Sequence, residues 1–213
     1  MLNVVVLVSG GGTNLQALLD AQEAGELRGG RIVRVISSAP GAYALERAAR
    51  HNVPASVVDR KSYAGATDFD AALLAELREA RADLVVLAGF LCILGKEIVQ
   101  TYANRILNVH PSLIPAFCGK GFYGLRVHKA ALDYGVKVTG ATVHFVNEIP
   151  DGGAIILQKA VPVQPQDTPE TLQLRVMRQA EWELLPKAVS LFCQGKIRLE
   201  GNKAFVDGQE AAE

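Results

Sequence analysis

Three shortages narrow what this 213-residue chain can be. Cysteine is scarce. Cys92, Cys118 and Cys193 are odd in number, far apart and form no CxxC pair. That argues against a disulfide framework and against a thiolate metal site, and it points to a reducing compartment, the cytoplasm. An excess of one charge is also missing, because Lys plus Arg and Asp plus Glu number 22 each. A neutral chain offers no footprint for nucleic acid or an anionic membrane, although a local basic pocket for a small phosphate stays open. Long apolar runs are absent too. None nears the roughly 18–20 residues that cross a bilayer. MLNVVVLVSG lacks a basic n-region, so it reads as a first strand rather than a signal peptide.

What is present suits a sizeable core, since 49% of residues are hydrophobic. Residues 2–8 form a β-branched run, as in a strand buried on both faces. SGGGTN follows, then LQALLDAQEAG reads as a helix ending at Gly25. Further strands are expected at 31–38, 53–59 and 83–90, separated by helices over AYALERAARHN and 68–82. EIVQTYANR is a helix, and RILNV a fifth strand that ends at Asn108. This alternation predicts an α/β fold with a doubly wound, mostly parallel sheet flanked by helices.

Beyond residue 110 the pattern changes. AFCGKGFYG is a glycine- and aromatic-rich loop, and LRVHKAALDYG a helix closed by Gly135. Strands at 138–146 and 154–163 flank the turn NEIPDGG. Thr168 and Pro169 open one long helix or two abutting ones, and a hairpin turns at Gly201-Asn202. With no repeat or linker, one domain spans 1–213, with a frayed C-terminal QEAAE.

Ser9-Gly10-Gly11-Gly12-Thr13-Asn14 lies where the first strand meets the first helix. Glycines allow close backbone approach, and helix N-terminal amides favour an anion. The loop is neither GxGxxG nor followed by GK[ST], so it fits a lone phosphate better than a dinucleotide. An ordinary tight turn is the competing reading. In open α/β sheets ligands sit beyond the carboxyl ends of strands. Asn108 and His110 fall at such an end, and the period-2 pattern turns them to one side. An amide and an imidazolium there can hold an oxyanion, or simply cap the strand. Asp151, in the turn Pro150-Asp151-Gly152-Gly153, could raise the His110 pKa if close, yet Asp-Gly is also a common turn dipeptide. His51 reads as a surface or capping residue, His128 as a lesser candidate, and His144, inside a strand, as a buried structural imidazole. No nucleophile elbow accompanies these residues, which favours direct transfer over a covalent enzyme intermediate. The histidines lack metal-ligand spacing, so no metal is expected.

The string Asn108-Val-His110-Pro111-Ser112-Leu113-Ile114-Pro115, with SGGGTN upstream and Asp151-Gly-Gly153 downstream, resembles the folate-dependent formyltransferases over nearly the whole chain. The loop FCGKGFYGLRVHKA and the string TGATVHFVNEIPDGG are similar to the members that formylate a glycinamide ribonucleotide. The resemblance implies that 10-formyltetrahydrofolate, as co-substrate, gives its formyl group to the ribonucleotide amine, which attacks it directly. It implies catalytic roles for Asn108, His110 and Asp151, with a protonated His110. It places the ribonucleotide on Gly12, Thr13, Asn14 and Glu181. It places the pterin on Phe90, Leu91, Cys92, Ile93 and Leu94, on Asn108, and on Val146, Asn147, Glu148, Ile149, Pro150 and Asp151. Residues 1–107 then carry phosphate binding and 108–213 catalysis and folate binding, with small-molecule partners and a possible homodimer. Cys92 and Ala66 depart from the basic residues that many members have there, and MRQAEW is one residue longer than in some. Another amine acceptor, such as a sugar nucleotide, or a non-catalytic folate- or nucleotide-binding module, are the alternatives.

Overall fold

Strand β1 (Leu2–Val8) sets the architecture, because its side chains alternate between two cores. Val4, Val6 and Val8 face one apolar cluster, while Val5 and Leu7 face the other. A strand apolar on both faces must lie inside a sheet covered by helices on each side. The computed structural model describes residues 1–207, so the tail QEAAE lies outside the described residues.

Helix α1 (Thr13–Glu23) follows, then β2 (Gly30–Ser37), α2 (Tyr43–Arg50) and β3 (Ala55–Val57). Helix α3 (Ala66–Glu79), β4 (Leu84–Leu87), α4 (Lys96–Thr101) and β5 (Ile106–His110) complete the first half. The second half holds α5 (Leu125–Tyr134), β6 (Val138–Phe145), β7 (Ile155–Pro162), α6 (Pro169–Val176) and α7 (Trp182–Cys193). A small hairpin, β8 (Ile197–Glu200) with β9 (Lys203–Val206), turns at the expected Gly201-Asn202.

The seven main strands run in the order β3-β2-β1-β4-β5-β6-β7. Strands β1 to β5 are parallel, and β6 and β7 add an antiparallel edge. The chain leaves β1 toward β2 and later returns to β4 on its other side. The carboxyl ends of β1 and β4 thus form the switch point where such sheets bind ligands.

Several expected boundaries move. The fifth strand runs through His110 rather than stopping at Asn108, because β6 pairs with it up to His110↔Thr142. Pro111, which has no N–H to donate, ends it there. The third strand shrinks to three residues at the sheet edge, and the fourth stops at Leu87 ahead of Gly89, whose φ is 73°. The helix expected at 68–82 spans Ala66–Glu79, and that in EIVQTYANR covers only Lys96–Thr101. Gly135 closes α5 with φ 82°. Thr168 and Thr171 cap α6 reciprocally, with Pro169 in its first turn. Helices α6 and α7 are continuous through a π turn at Met177–Glu181. A π turn accommodates one extra residue within a helix, which suits the added length of MRQAEW.

Candidate active site

The switch point opens into a cavity of about 690 Å³. The glycine loop Gly10–Asn14, the segment Leu87–Leu94, the end of β5, the loop Gly119–Gly124 and the turn Val146–Asp151 line it, with His144 and Glu181. Every residue to which the resemblance gives a site role, from Gly12 to Glu181, borders this one space. Leu91, Ile93 and Ile149 are more than half exposed there, so apolar surface is left uncovered where a flat ring could lie.

Antiparallel register builds the polar centre. Asn108 on β5 pairs with His144 on β6, so their side chains are cross-strand neighbours. His144 Nδ1–H donates to the Phe145 carbonyl at 2.7 Å, since a carbonyl only accepts. Its Nε2 lies 3.1 Å from the Asn108 amide nitrogen and 3.5 Å from the Asp151 carboxylate. It accepts from Asn108 when the ring is neutral and donates to Asp151 when the ring is charged. The neutral ring fixes Asn108 at the cavity wall. His144, expected to be merely structural, is therefore part of the constellation, and the signal that could have found it is this register.

Asp151 arrives on a turn that holds itself together. Asn147 Oδ1 accepts the Ile149 amide at 2.9 Å, and the Asn147 amide donates to the Gly152 carbonyl at 3.2 Å. Asp151 itself has φ 55°. Its carboxylate accepts the Gly119 amide at 2.8 Å. It lies 3.6 Å from Nδ1 of His110 and 3.5 Å from Nε2 of His144. Burial alone would raise the Asp151 pKa, but His144, His110 and the Gly119 amide outweigh it and hold the group below its usual range.

His110 is 4% exposed, and its Nε2–H donates to the Phe117 carbonyl at 2.9 Å. Asp151 does pull the His110 pKa up, as expected of a close carboxylate, but the net shift is downward. Burial lowers it below the ordinary value, and the opposing pull of Asp151 and Phe117 does not make up the difference. Desolvating a cation costs more than one carboxylate 3.6 Å away returns. His128 on α5 is fully buried behind it, with neither ring nitrogen partnered, and burial plus the nearby His110 push it to about 4. His51 ends α2 and bridges Glu23 and Gln16, as a capping residue does.

At the other end of the cavity Gly12 takes φ 69° to start α1, and no side chain caps the helix. Asn14, which the resemblance places on the ribonucleotide, donates through its amide to Glu181 Oε2 at 2.6 Å. Glu181 is 4% exposed, and burial pushes it up to about 7 against the Asn14 hydrogen bond. Two further contacts escaped sequence reasoning. Ser9 Oγ accepts the Leu91 amide at 2.9 Å, and Arg47 donates to the Gly11 carbonyl at 2.8 Å. Among the described residues no cluster of three or more His, Cys, Asp or Glu could hold a metal ion, and no helix is long and apolar enough to cross a membrane.

A mostly parallel sheet brings an amide and an imidazole at the end of β5 against a carboxylate from the β6–β7 turn, and comparison with known proteins gives the class. The family model described as formyl transferase matches residues 2–189, and the chain belongs to that family. It is 40% identical to the phosphoribosylglycinamide formyltransferase of Haemophilus influenzae, over 98% of this chain and 95% of that protein. The Escherichia coli protein of the same name is 38% identical over 98% of this chain and 95% of its own length. Among solved structures, glycinamide ribonucleotide transformylase 1 from Symbiobacterium toebii superposes with a TM-score of 0.91 at 44% identity, covering 97% of this chain and 94% of that one.

Proposed function

We infer that this chain transfers the formyl group of 10-formyltetrahydrofolate to the amine of glycinamide ribonucleotide, a step of purine synthesis. The observation that carries the reading is one continuous cavity with an uncapped glycine loop at one end, exposed apolar side chains at the other, and Asn108, His110 and Asp151 between them. The Gly12 and Thr13 amides hold the 5′-phosphate, and Asn14 and Glu181 face the ribonucleotide. Phe90 to Leu94 and the turn Val146 to Asp151 receive the pterin, largely through backbone groups. Residues 1–107 thus carry most of the phosphate site, and 108–213 most of the catalytic one.

The amine nitrogen bonds to the formyl carbon, the bond from that carbon to the folate nitrogen breaks, and a proton passes from the amine to the folate nitrogen. Asn108 donates to the oxygen that becomes negative. His110 takes the proton that the attacking amine releases, donates to that oxygen as an imidazolium supported by the ionised Asp151, and hands the proton on to the folate nitrogen. One such donor contributes about 3–4 kcal/mol in comparable sites. The Nε2–H of His110 now serves the Phe117 carbonyl. The three free cysteines support a cytoplasmic location. Light scattering separates a monomer from a homodimer.

The deciding experiment is a formyl-transfer assay with purified protein, glycinamide ribonucleotide and competing amines. Turnover on the ribonucleotide alone supports the reading. Faster turnover on an amino sugar nucleotide, or none on any amine, overturns it.

A further inference from the structure

The glycine loop is held from behind by α2. The Ala44 amide donates to the Gly10 carbonyl at 3.1 Å. Arg47 Nε donates to the Gly11 carbonyl at 2.8 Å, and its Nη1 to Gln16 Oε1 at 2.9 Å. In a planar trans peptide the carbonyl and the next N–H point opposite ways. Holding the Gly10 and Gly11 carbonyls on the α2 side therefore turns the Gly11 and Gly12 amides to the other side. Among the described residues no hydrogen bond uses either amide. Asn14, 7% exposed, borders the same space, and its buried Oδ1, which only accepts, has no partner and is left for a hydroxyl of the ribonucleotide. The loop is thus made ready for a ligand the protein does not itself supply.

Arg47 suits this task for two reasons. Its guanidinium bonds a carbonyl and an amide oxygen rather than a carboxylate, so its charge is not cancelled by either partner. It also stacks on the Tyr43 ring, 5.0 Å from the centroid, which fixes the fork. Gly12 is pressed against the same helix, since a Cβ there would lie 2.6 Å from that of Ala44.

We propose that Arg47 is the positioning residue of the phosphate loop: by fixing the Gly11 carbonyl it aims the Gly12 amide at the 5′-phosphate of the ribonucleotide. The proposal rests on the function inferred above. It is tested with Arg47→Ala and Arg47→Gln, and with Arg47→Lys as the conservative variant. The ribonucleotide KM rises roughly tenfold in the first two, as is usual for a group that orients rather than touches, while kcat and the folate KM stay within about twofold. Arg47→Lys, which keeps the charge but not the two-pronged fork, recovers only part of the loss. Calorimetry with inorganic phosphate runs in parallel and needs no turnover, and phosphate binds about tenfold more weakly to Arg47→Ala.

An unchanged ribonucleotide KM in Arg47→Ala overturns the proposal and leaves the assigned reaction standing. A parent protein that binds phosphate through Arg47 but formylates no amine overturns the reaction and leaves the loop assignment standing. No phosphate binding by the parent, equal rises in both KM values, or full recovery in Arg47→Lys also overturns it. Should Arg47→Ala fail to fold, Arg47→Gln carries both measurements.

Discussion

The Asp151 carboxylate lies 3.6 Å from Nδ1 of His110, close enough for an ion pair and too far for a strong hydrogen bond. Burial pulls the His110 pKa down while Asp151 pulls it up. Replacing Asp151 with Asn leaves burial unopposed, so the pKa falls further. If an imidazolium is the working form, activity declines as pH rises through that pKa. Asp151→Asn should therefore lower kcat by a factor of about 10²–10⁴ and move the declining limb of kcat/KM to lower pH. A full pH–rate profile checks this, and an unmoved limb counts against the pairing. His110→Ala should lose a comparable factor with the fold intact by circular dichroism.

The second prediction concerns His144, whose Nε2 accepts the Asn108 amide when the ring is neutral. His144→Phe removes that acceptor while keeping a ring in the strand. Asn108 loses its fixed orientation, so kcat should drop by roughly 10–100-fold. Asn108→Ala should cost about 10²–10³. If His144 acts through Asn108, the double variant is little worse than Asn108→Ala alone. Additive losses would show an independent role.

How far the sequence could be read differs between backbone and side chains. The β-branched run at Leu2–Val8 and the helical spacing of Ala71, Leu74, Leu77 and Ala80 are local signals, and both elements form. The strand-end rule picks out Asn108 and His110, the family resemblance adds the other candidate residues, and all of them line one cavity. Partners across the sheet were not legible. Whether Asn108 meets His144 depends on the β5–β6 register, which neither strand encodes alone. The sign of the His110 shift depends on burial, and local sequence predicts burial poorly for a polar residue on a strand. Arg47 reads as one more charge on an amphipathic helix until the fold brings it behind Gly11.

Gly153 tests the turn that delivers Asp151. A Cβ at Gly153 would sit 1.8 Å from the Phe145 carbonyl oxygen, beside the bond from the Phe145 amide to the Ala154 carbonyl at 2.9 Å. Two backbones meet there, so neither yields as a side chain would. Gly153→Ala should destabilise by about 1–3 kcal/mol or more and reduce kcat, because the turn and Asp151 shift together. Gly41→Ala, where nothing lies within 4 Å, should be nearly neutral. Urea midpoints of the two variants make the comparison, and equal midpoints would contradict the close contact.

Glu181 gives a prediction for stability against pH. Burial raises its pKa to about 7 in the folded chain, from an ordinary value of 4.5, and the Asn14 amide offsets part of that rise. Between those two values the folded state holds a proton that the unfolded state has released. Stability therefore declines as pH climbs from about 4.5 to about 7, and this contribution is level above that. The whole decline is about 3 kcal/mol. Glu181→Gln keeps an oxygen to accept from Asn14 and has no proton to lose. Its unfolding midpoint in urea should vary less between pH 5 and pH 8 than the parent's, and at pH 8 it should match or exceed the parent. The ribonucleotide KM should rise at the same time, because the amide cannot replace a carboxylate toward hydroxyl donors. A variant whose midpoint follows the parent's across that range would mean that Glu181 is ionised throughout, with the cost of burial met by something other than Asn14.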